Sequence, residues 1–186
     1  MPRLRDVVLQ DPHILFVGIN PGFMSLEVGH HFAGKFNPFY QLLHAARLVP
    51  VVLEAPEDHR LVEFGYALTN LVPRATKMST DLRKPELDRG RKALVKKVKA
   101  MRPKILALVG VTLYPVVAGV KIAKGGTAPG LKDDVIEGAR VFVLPNPSGL
   151  NASFPTFADK VPWFIALREF AATIPRTPPA APTLVP

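Results

Sequence analysis

Four short apolar runs punctuate the chain: His13 to Ile19 (HILFVGI), Gly65 to Val72 (GYALTNLV), Lys104 to Val109 (KILALV) and Arg140 to Leu144 (RVFVL). Unbroken runs of this length suit strands buried on both faces. The stretches between them carry helical spacing instead. Pro38 to Leu48 reads as a helix with Asn37 as N-cap and Pro38 at the first helical position, where the missing N–H costs nothing. From about Pro85 to Met101 the apolar positions Leu87, Leu94, Val95, Val98 and Met101 share one side. Arg89, Arg91, Lys92, Lys96, Lys97 and Lys99 take the remainder of that helix, a face that reads as solvated and carries no site. A third helix is expected from about Pro155 to Ala171. Strands alternating with helices imply parallel pairing through right-handed crossovers. The expected fold is therefore an α/β three-layer α/β/α sandwich with a short, mainly parallel central sheet.

Length and composition narrow this picture. At 186 residues and 48% hydrophobic, the chain has room for one domain with one core. The stretch from Pro175 to Pro186 (PRTPPAAPTLVP) has five prolines in twelve residues and reads as an extended tail. Residues 1–174 are thus expected to form a single domain and 175–186 a Pro-rich flexible tail. No repeat with a period of about 20 to 50 residues is visible, which excludes solenoids and propellers.

The chemistry is bounded by what is missing and by charge. With no cysteine, a disulfide framework, a thiolate zinc site, a cysteine nucleophile and a cysteine-held iron–sulfur cluster are all excluded. Twenty-four Lys and Arg against fifteen Asp and Glu give a formal net charge of +9 and a pI near 10.0. Such a field attracts polyanions, and nucleic acid is the expected partner. No apolar run approaches the roughly 18 residues of a membrane span, and Met1 to Asp11 lacks the apolar stretch of a signal peptide. The expectation is a soluble, cytoplasmic, nucleoid-associated monomer that makes no use of a membrane.

In open α/β sheets ligands bind outside the carboxyl ends of the strands, and two strand-end loops stand out. The first strand runs into Gly18-Ile19-Asn20-Pro21-Gly22, and the last into Asn146-Pro147-Ser148-Gly149-Leu150. Taken singly, each is an ordinary turn, since Asn-Pro and Pro-Gly pairs initiate turns in many proteins. The pair, at opposite ends of one α/β domain, is less common. Leu150 at a turn tip is unusual for an apolar residue, unless it folds back into the core. His30 and His31 are adjacent, so their side chains diverge, and no third ligand sits at metal-site spacing; no metal is expected.

These motifs resemble the mismatch-specific uracil-DNA and thymine-DNA glycosylases of the uracil-DNA glycosylase superfamily. The resemblance runs from about His13 to Trp163. GINPG (Gly18 to Gly22) is similar to the family's first motif and NPSGL (Asn146 to Leu150) to the bacterial form of its second. GHHFAG (Gly29 to Gly34), followed by Asn37 and Phe39, resembles the GHH-aromatic segment of the thymine-DNA branch. LTNLVPRAT (Leu68 to Thr76) is similar to that branch's TTN loop, and STDL (Ser79 to Leu82) to its acidic turn.

The resemblance implies a monofunctional glycosylase that flips uracil, or a related pyrimidine, out of mismatched double-stranded DNA and leaves an abasic site without a cofactor. Cleaving an N-glycosidic bond builds positive charge on the sugar and negative charge on the base, so one positioned water and fixed donors suffice. The resemblance assigns water positioning to Asn20. It places Phe32 on the extruded base, with main-chain donors near Ile19 and Phe32 and the amide of Asn146 at its polar edge or the flanking backbone. It sets His31 beside Phe32 in the pocket and Ser25 near C5 of the pyrimidine. Leu150 becomes the wedge that fills the vacated stack, with Gly149 and Asn151 facing the widowed guanine, while Ser148 and Lys160 touch phosphates. Several of these residues have plain alternatives: Phe32 a core aromatic, His31 an exposed loop histidine.

The chain departs from the bacterial mismatch-specific pattern at Asn70, where those members carry lysine and the thymine-DNA branch carries asparagine. Asn70 then hydrogen-bonds base or water, or simply ends a strand. Asp81 is the nearest carboxylate by resemblance and could orient water; equally, it could cap the basic helix. Two rival readings stand beside the glycosylase: a lesion-sensing DNA-binding module without chemistry, and a small enzyme acting on free nucleotides. Against the latter, GINPG matches neither GxxxxGK[ST] nor GxGxxG.

Overall fold

The structure, a computed structural model, describes residues 3–121, 126–148 and 153–176. The apolar runs form β1 (Ile14–Gly18), β2 (Tyr66–Asn70), β3 (Ile105–Val109) and β5 (Ala139–Leu144), and these pair in parallel. A further strand, β4 (Gly130–Ile136), adds antiparallel to β5, giving the order β2-β1-β3-β5-β4. The helices are α1 (Phe23–Val28), α2 (Phe39–Ala45), α3 (Lys84–Met101), α4 (Leu113–Ala118) and α5 (Phe157–Ala172). Two 3-10 segments, Ala55–Phe64 and Ser79–Asp81, complete the described elements.

Alternation along the buried strands divides the core in two. Ile14, Phe16, Leu68, Ile105, Ala107 and Phe142 face α2 and α5, packing with Phe39, Leu42, Leu43, Phe164 and Leu167. Leu15, Val17, Ala67, Leu106, Leu108 and Val141 face the other way, onto Leu94 and Val98 of α3 and Leu113 and Val117 of α4. Because successive strand side chains point to opposite faces, a strand with no polar position must be covered twice. The fold is the α/β three-layer arrangement.

Several boundaries differ from the sequence expectation for identifiable reasons. Asn37 does not occupy the N-cap of α2; Pro38 does, and Asn37 Oδ1 accepts from the Phe39 N–H at 3.1 Å one position earlier. The helix stops before Leu48 because Arg47 turns left-handed at φ 57°. α3 ends in the same way at Arg102, φ 55°. Its close approach to the sheet side rests on Gly90, where a Cβ would lie 2.5 Å from the Leu71 carbonyl oxygen.

The site follows from register. Gly18 pairs with Asn70 and Val109 with Leu144, so β1, β2, β3 and β5 all finish at one edge of the sheet. The loops after them open on that edge. On the outer side of β2, Val7 exchanges two 3.0 Å hydrogen bonds with Leu68, which ties the N-terminal segment to the strand that ends in Asn70. Among the described residues no helix is long and apolar enough to cross a membrane.

Candidate active site

A cavity of about 640 Å³ lies at this edge, and both asparagine turns border it. Ile19, Asn20, Ser25, His31, Phe32, Asn70, Asn146 and Ser148 all line it. Residues far apart in the chain, from the ends of β1, β2 and β5, thus share one concavity.

The orientation of Asn20 is fixed by its surroundings. Its side-chain nitrogen donates to the Arg74 carbonyl at 3.0 Å, to Thr76 Oγ1 at 2.7 Å and, more weakly, to the Pro21 carbonyl at 3.3 Å. Two of these partners can only accept. The Thr76 hydroxyl spends its own proton on the Met78 carbonyl at 2.7 Å, so it too accepts from Asn20. The amide cannot be reversed without setting oxygen against oxygen, and Oδ1 is left as the acceptor of a cavity-lining residue. Thr76 ends the LTNLVPRAT motif, which carries no signal for its role; its function as the clamp on Asn20 is visible only in three dimensions.

The loop carrying Thr76 is itself stapled. Arg74 makes a two-pronged pair with Glu86 near the start of α3, at 2.6 and 3.0 Å, and its guanidinium also donates to the Asp81 carbonyl at 2.9 Å. The Arg74 hydrogen bonds, together with the Arg83 N–H, hold the Glu86 carboxyl down at about 2.

Asn70 and His31 form a second fixed pair. His31 is 1% exposed, and its Nε2 faces the Arg5 carbonyl at 2.9 Å. A carbonyl only accepts, so Nε2 carries the proton and Nδ1 is the acceptor. The Asn70 side-chain nitrogen lies 3.5 Å from that Nδ1 and donates to it. Burial pushes the His31 pKa below the usual value, against the opposing pull of the Arg5 carbonyl, Asp58 and Asp6. The ring is therefore neutral near pH 7. Asn70 Oδ1 in turn lies over Gly18, where any Cβ would approach it to 2.5 Å. Asn70 ends β2, its nitrogen on the His31 ring and its oxygen against Gly18.

Phe32 has one face stacked on Phe39, with ring centroids 3.9 Å apart and planes at 23°, and borders the cavity. Its backbone sits in the left-handed region, φ 54°, a conformation that costs a bulky residue about 1–3 kcal/mol and persists only where neighbours enforce it. Those neighbours are explicit. The His31 N–H donates to Asp58 Oδ2 at 2.9 Å, the Tyr40 hydroxyl to the His31 carbonyl at 2.7 Å, and the Ala33 N–H to Ser25 Oγ at 3.0 Å. Ser25 is thus a buried anchor of this loop as well as a lining residue. Asp58, 5% exposed and also 3.2 Å from His30 Nδ1, carries no sequence signal, since APEDHR reads as surface.

At the far turn, Asn146 Oδ1 accepts from the Ser148 N–H at 2.9 Å, which assigns the amide nitrogen as the donor end. Gly149, Leu150 and Asn151 lie outside the described residues. Two expected site residues stand elsewhere. Asp81 does not line the cavity; it is exposed, its Oδ2 accepts from the Met78 N–H at 3.1 Å, and the N-cap of α3 is Arg83. Lys160 is 2% exposed, with Nζ on the Thr156 carbonyl at 3.4 Å, so it presents no surface ammonium for a phosphate. No group of three or more His, Cys, Asp or Glu side chains suited to a metal occurs among the described residues.

Comparisons with known proteins bear on the fold and the family. The solution NMR structure of a Methanosarcina acetivorans protein, named as a candidate uracil DNA glycosylase, superposes with a TM-score of 0.59 at 15% identity, covering 90% of this chain and 96% of that one. At such identity the likeness speaks for the fold. The family model described as the uracil DNA glycosylase superfamily matches residues 6–168, a span that contains both asparagine turns and every described residue of the cavity named above. The chain belongs to the uracil DNA glycosylase superfamily.

Proposed function

We propose that the protein is a monofunctional DNA glycosylase that hydrolyses the N-glycosidic bond of uracil in G·U mismatches of double-stranded DNA, working as a monomer and without a cofactor. The observation that carries this reading is Asn20, which borders the cavity with its nitrogen tied down and Oδ1 left to accept. In the reaction the C1′–N1 bond breaks, electron density moves onto the base, and a water held by Asn20 Oδ1 adds at C1′. The water's proton passes to solvent or to the departing base. Asparagine is no base at neutral pH, but an oxocarbenium-like sugar needs an aligned water more than a strong one. Phe32 offers the stacking surface for the base, and the donor end of Asn146 faces its polar edge. Extrusion costs a few kcal/mol and least at a mismatch, which favours G·U over A·U. Ser25 leaves a small side chain near the pyrimidine C5, compatible with slower thymine release.

The test is excision from end-labelled duplexes containing G·U, A·U or G·T, read as alkali-sensitive strand breaks. Release ranked G·U above A·U, with no cleavage of free deoxyuridine and no borohydride-trapped enzyme–DNA adduct, is expected. Hydrolysis of deoxyuridine or its phosphates at comparable efficiency would transfer the assignment to nucleotide metabolism. Tight lesion binding without release would make the chain a sensor.

A further inference from the structure

Three exposed apolar side chains line the cavity. Phe36 is 81% exposed, and Met24 and Met78 are each about half exposed; all three border the cavity. They come from separate segments: α1, the loop before α2 and the loop after β2. One face of the Phe36 ring carries the Lys35 ammonium, 5.4 Å from its centroid, and Lys77 borders the same mouth. Isolated exposed apolar residues are unremarkable, but an aromatic ring this open, on a cavity that two half-exposed methionines also line, is a binding surface or a liability.

The charge beside it selects the occupant. A cation on one ring face and an open second face is how a flat, electron-rich group is held next to a phosphate, and it suits a nucleobase on its backbone. We infer that Phe36, with Met24 and Met78, is a shelf on which an unpaired base neighbouring the extruded nucleotide stacks, while Lys35 contacts the adjoining phosphate. In intact duplex the neighbouring base is already stacked in the helix and gains nothing from leaving it. In single-stranded or bubble DNA the neighbour is exposed, and stacking on Phe36 replaces water contact. The shelf therefore extends the site to unpaired DNA; it rests on the glycosylase reading of the cavity.

The experiment measures binding of the full chain to a single-stranded oligonucleotide with one uncleavable 2′-fluorinated deoxyuridine, and to the same strand in a G·U duplex, by fluorescence anisotropy at several salt concentrations. Because Phe36 is at the surface, Phe36→Ala should leave the melting temperature unchanged. It is expected to weaken single-strand binding roughly tenfold, the scale of one lost base–aromatic stack, and duplex binding less than about twofold. Phe36→Trp should restore the single-strand affinity. Lys35→Gln should lower the single-strand salt slope by about 0.7, one phosphate's worth, whereas Phe36→Ala should leave the slope alone. Equal effects of Phe36→Ala on both substrates, no effect on either, or no single-strand binding by the unaltered protein would each overturn the shelf. Uracil release from duplex by the unaltered protein, measured in parallel, separates that failure from failure of the glycosylase reading itself.

Discussion

The side-chain nitrogen of Asn20 donates to Thr76 Oγ1 at 2.7 Å across 56 positions of sequence, joining the turn after β1 to the loop after β2. The bond passes on: Thr76 donates to the Met78 carbonyl, and Arg74 ties the same loop to α3 through Glu86. The direction in which Asn20 presents its oxygen is thus set by the loop that follows β2.

Thr76→Val keeps the shape of the side chain and removes the acceptor. One lost hydrogen bond of about 1 kcal/mol frees the Asn20 amide to rotate, so single-turnover excision on a G·U duplex should fall roughly five- to tenfold while the affinity for that duplex stays within about twofold. Thr76→Ser, which keeps the hydroxyl, should recover most of the rate. An unchanged rate in Thr76→Val would show that the Arg74 carbonyl alone fixes Asn20.

Gly18 and Asn70 should behave as a coupled pair. A methyl at position 18 would lie 2.5 Å from Asn70 Oδ1 and 3.6 Å from the Phe32 ring, so Gly18→Ala must displace Asn70 or strain β1. Overpacking of this kind costs about 1–3 kcal/mol. Adding Asn70→Ala removes the clashing oxygen and should return part of that stability in urea titrations, a coupling of about 0.5–3 kcal/mol. Strict additivity of the two substitutions would contradict the contact.

His31 supplies a pH dependence with a defined sign. Burial lowers its pKa from the ordinary 6.5, so the unfolded chain takes up this proton before the folded one does. Its contribution to stability is complete above about pH 6.5 and is lost as the pH falls toward the folded value. Protonation would also turn Nδ1 from acceptor to donor and break the contact with Asn70. His31→Gln should therefore flatten the decline in melting temperature between pH 7 and pH 5 relative to the unaltered protein, and shift the acid limb of the excision profile. Identical profiles would mean that other groups carry the acid sensitivity.

How far the sequence revealed this arrangement depends on the kind of residue. β1, β2, β3 and β5 were readable because a strand buried on both faces has no polar position to disguise it, as ILFVG and ILALV show. β4 (GLKDDVI) was missed because its alternation is inverted. Leu131 and Val135 are exposed, while Lys132 and Asp134 turn inward, with the Asp134 carboxylate accepting from the Tyr114 hydroxyl and Lys132 lying over the Tyr114 ring. An edge strand whose half-buried side carries Lys132 and Asp134 and whose open side carries Leu131 and Val135 shows no apolar face to recognise. At the site, the asparagine turns were visible as short local motifs. The groups that orient them were not, because Thr76, Asp58 and the Arg5 carbonyl act through long-range hydrogen bonds that leave no periodicity. Asp81 and Lys160 mark the reverse case, residue types suited to the chemistry that the fold employs in a turn and in a buried position.

The most direct measurement compares Asn20→Ala with the unaltered protein on one G·U duplex, with single-turnover excision and binding to the uncleavable 2′-fluorinated analogue determined side by side. Excision should drop by about a hundredfold or more, as when a group acting chiefly in the transition state is removed, while the dissociation constant changes less than about threefold. Excision at the unaltered rate, or a loss accounted for wholly by weaker binding, would remove Asn20 from the hydrolytic step.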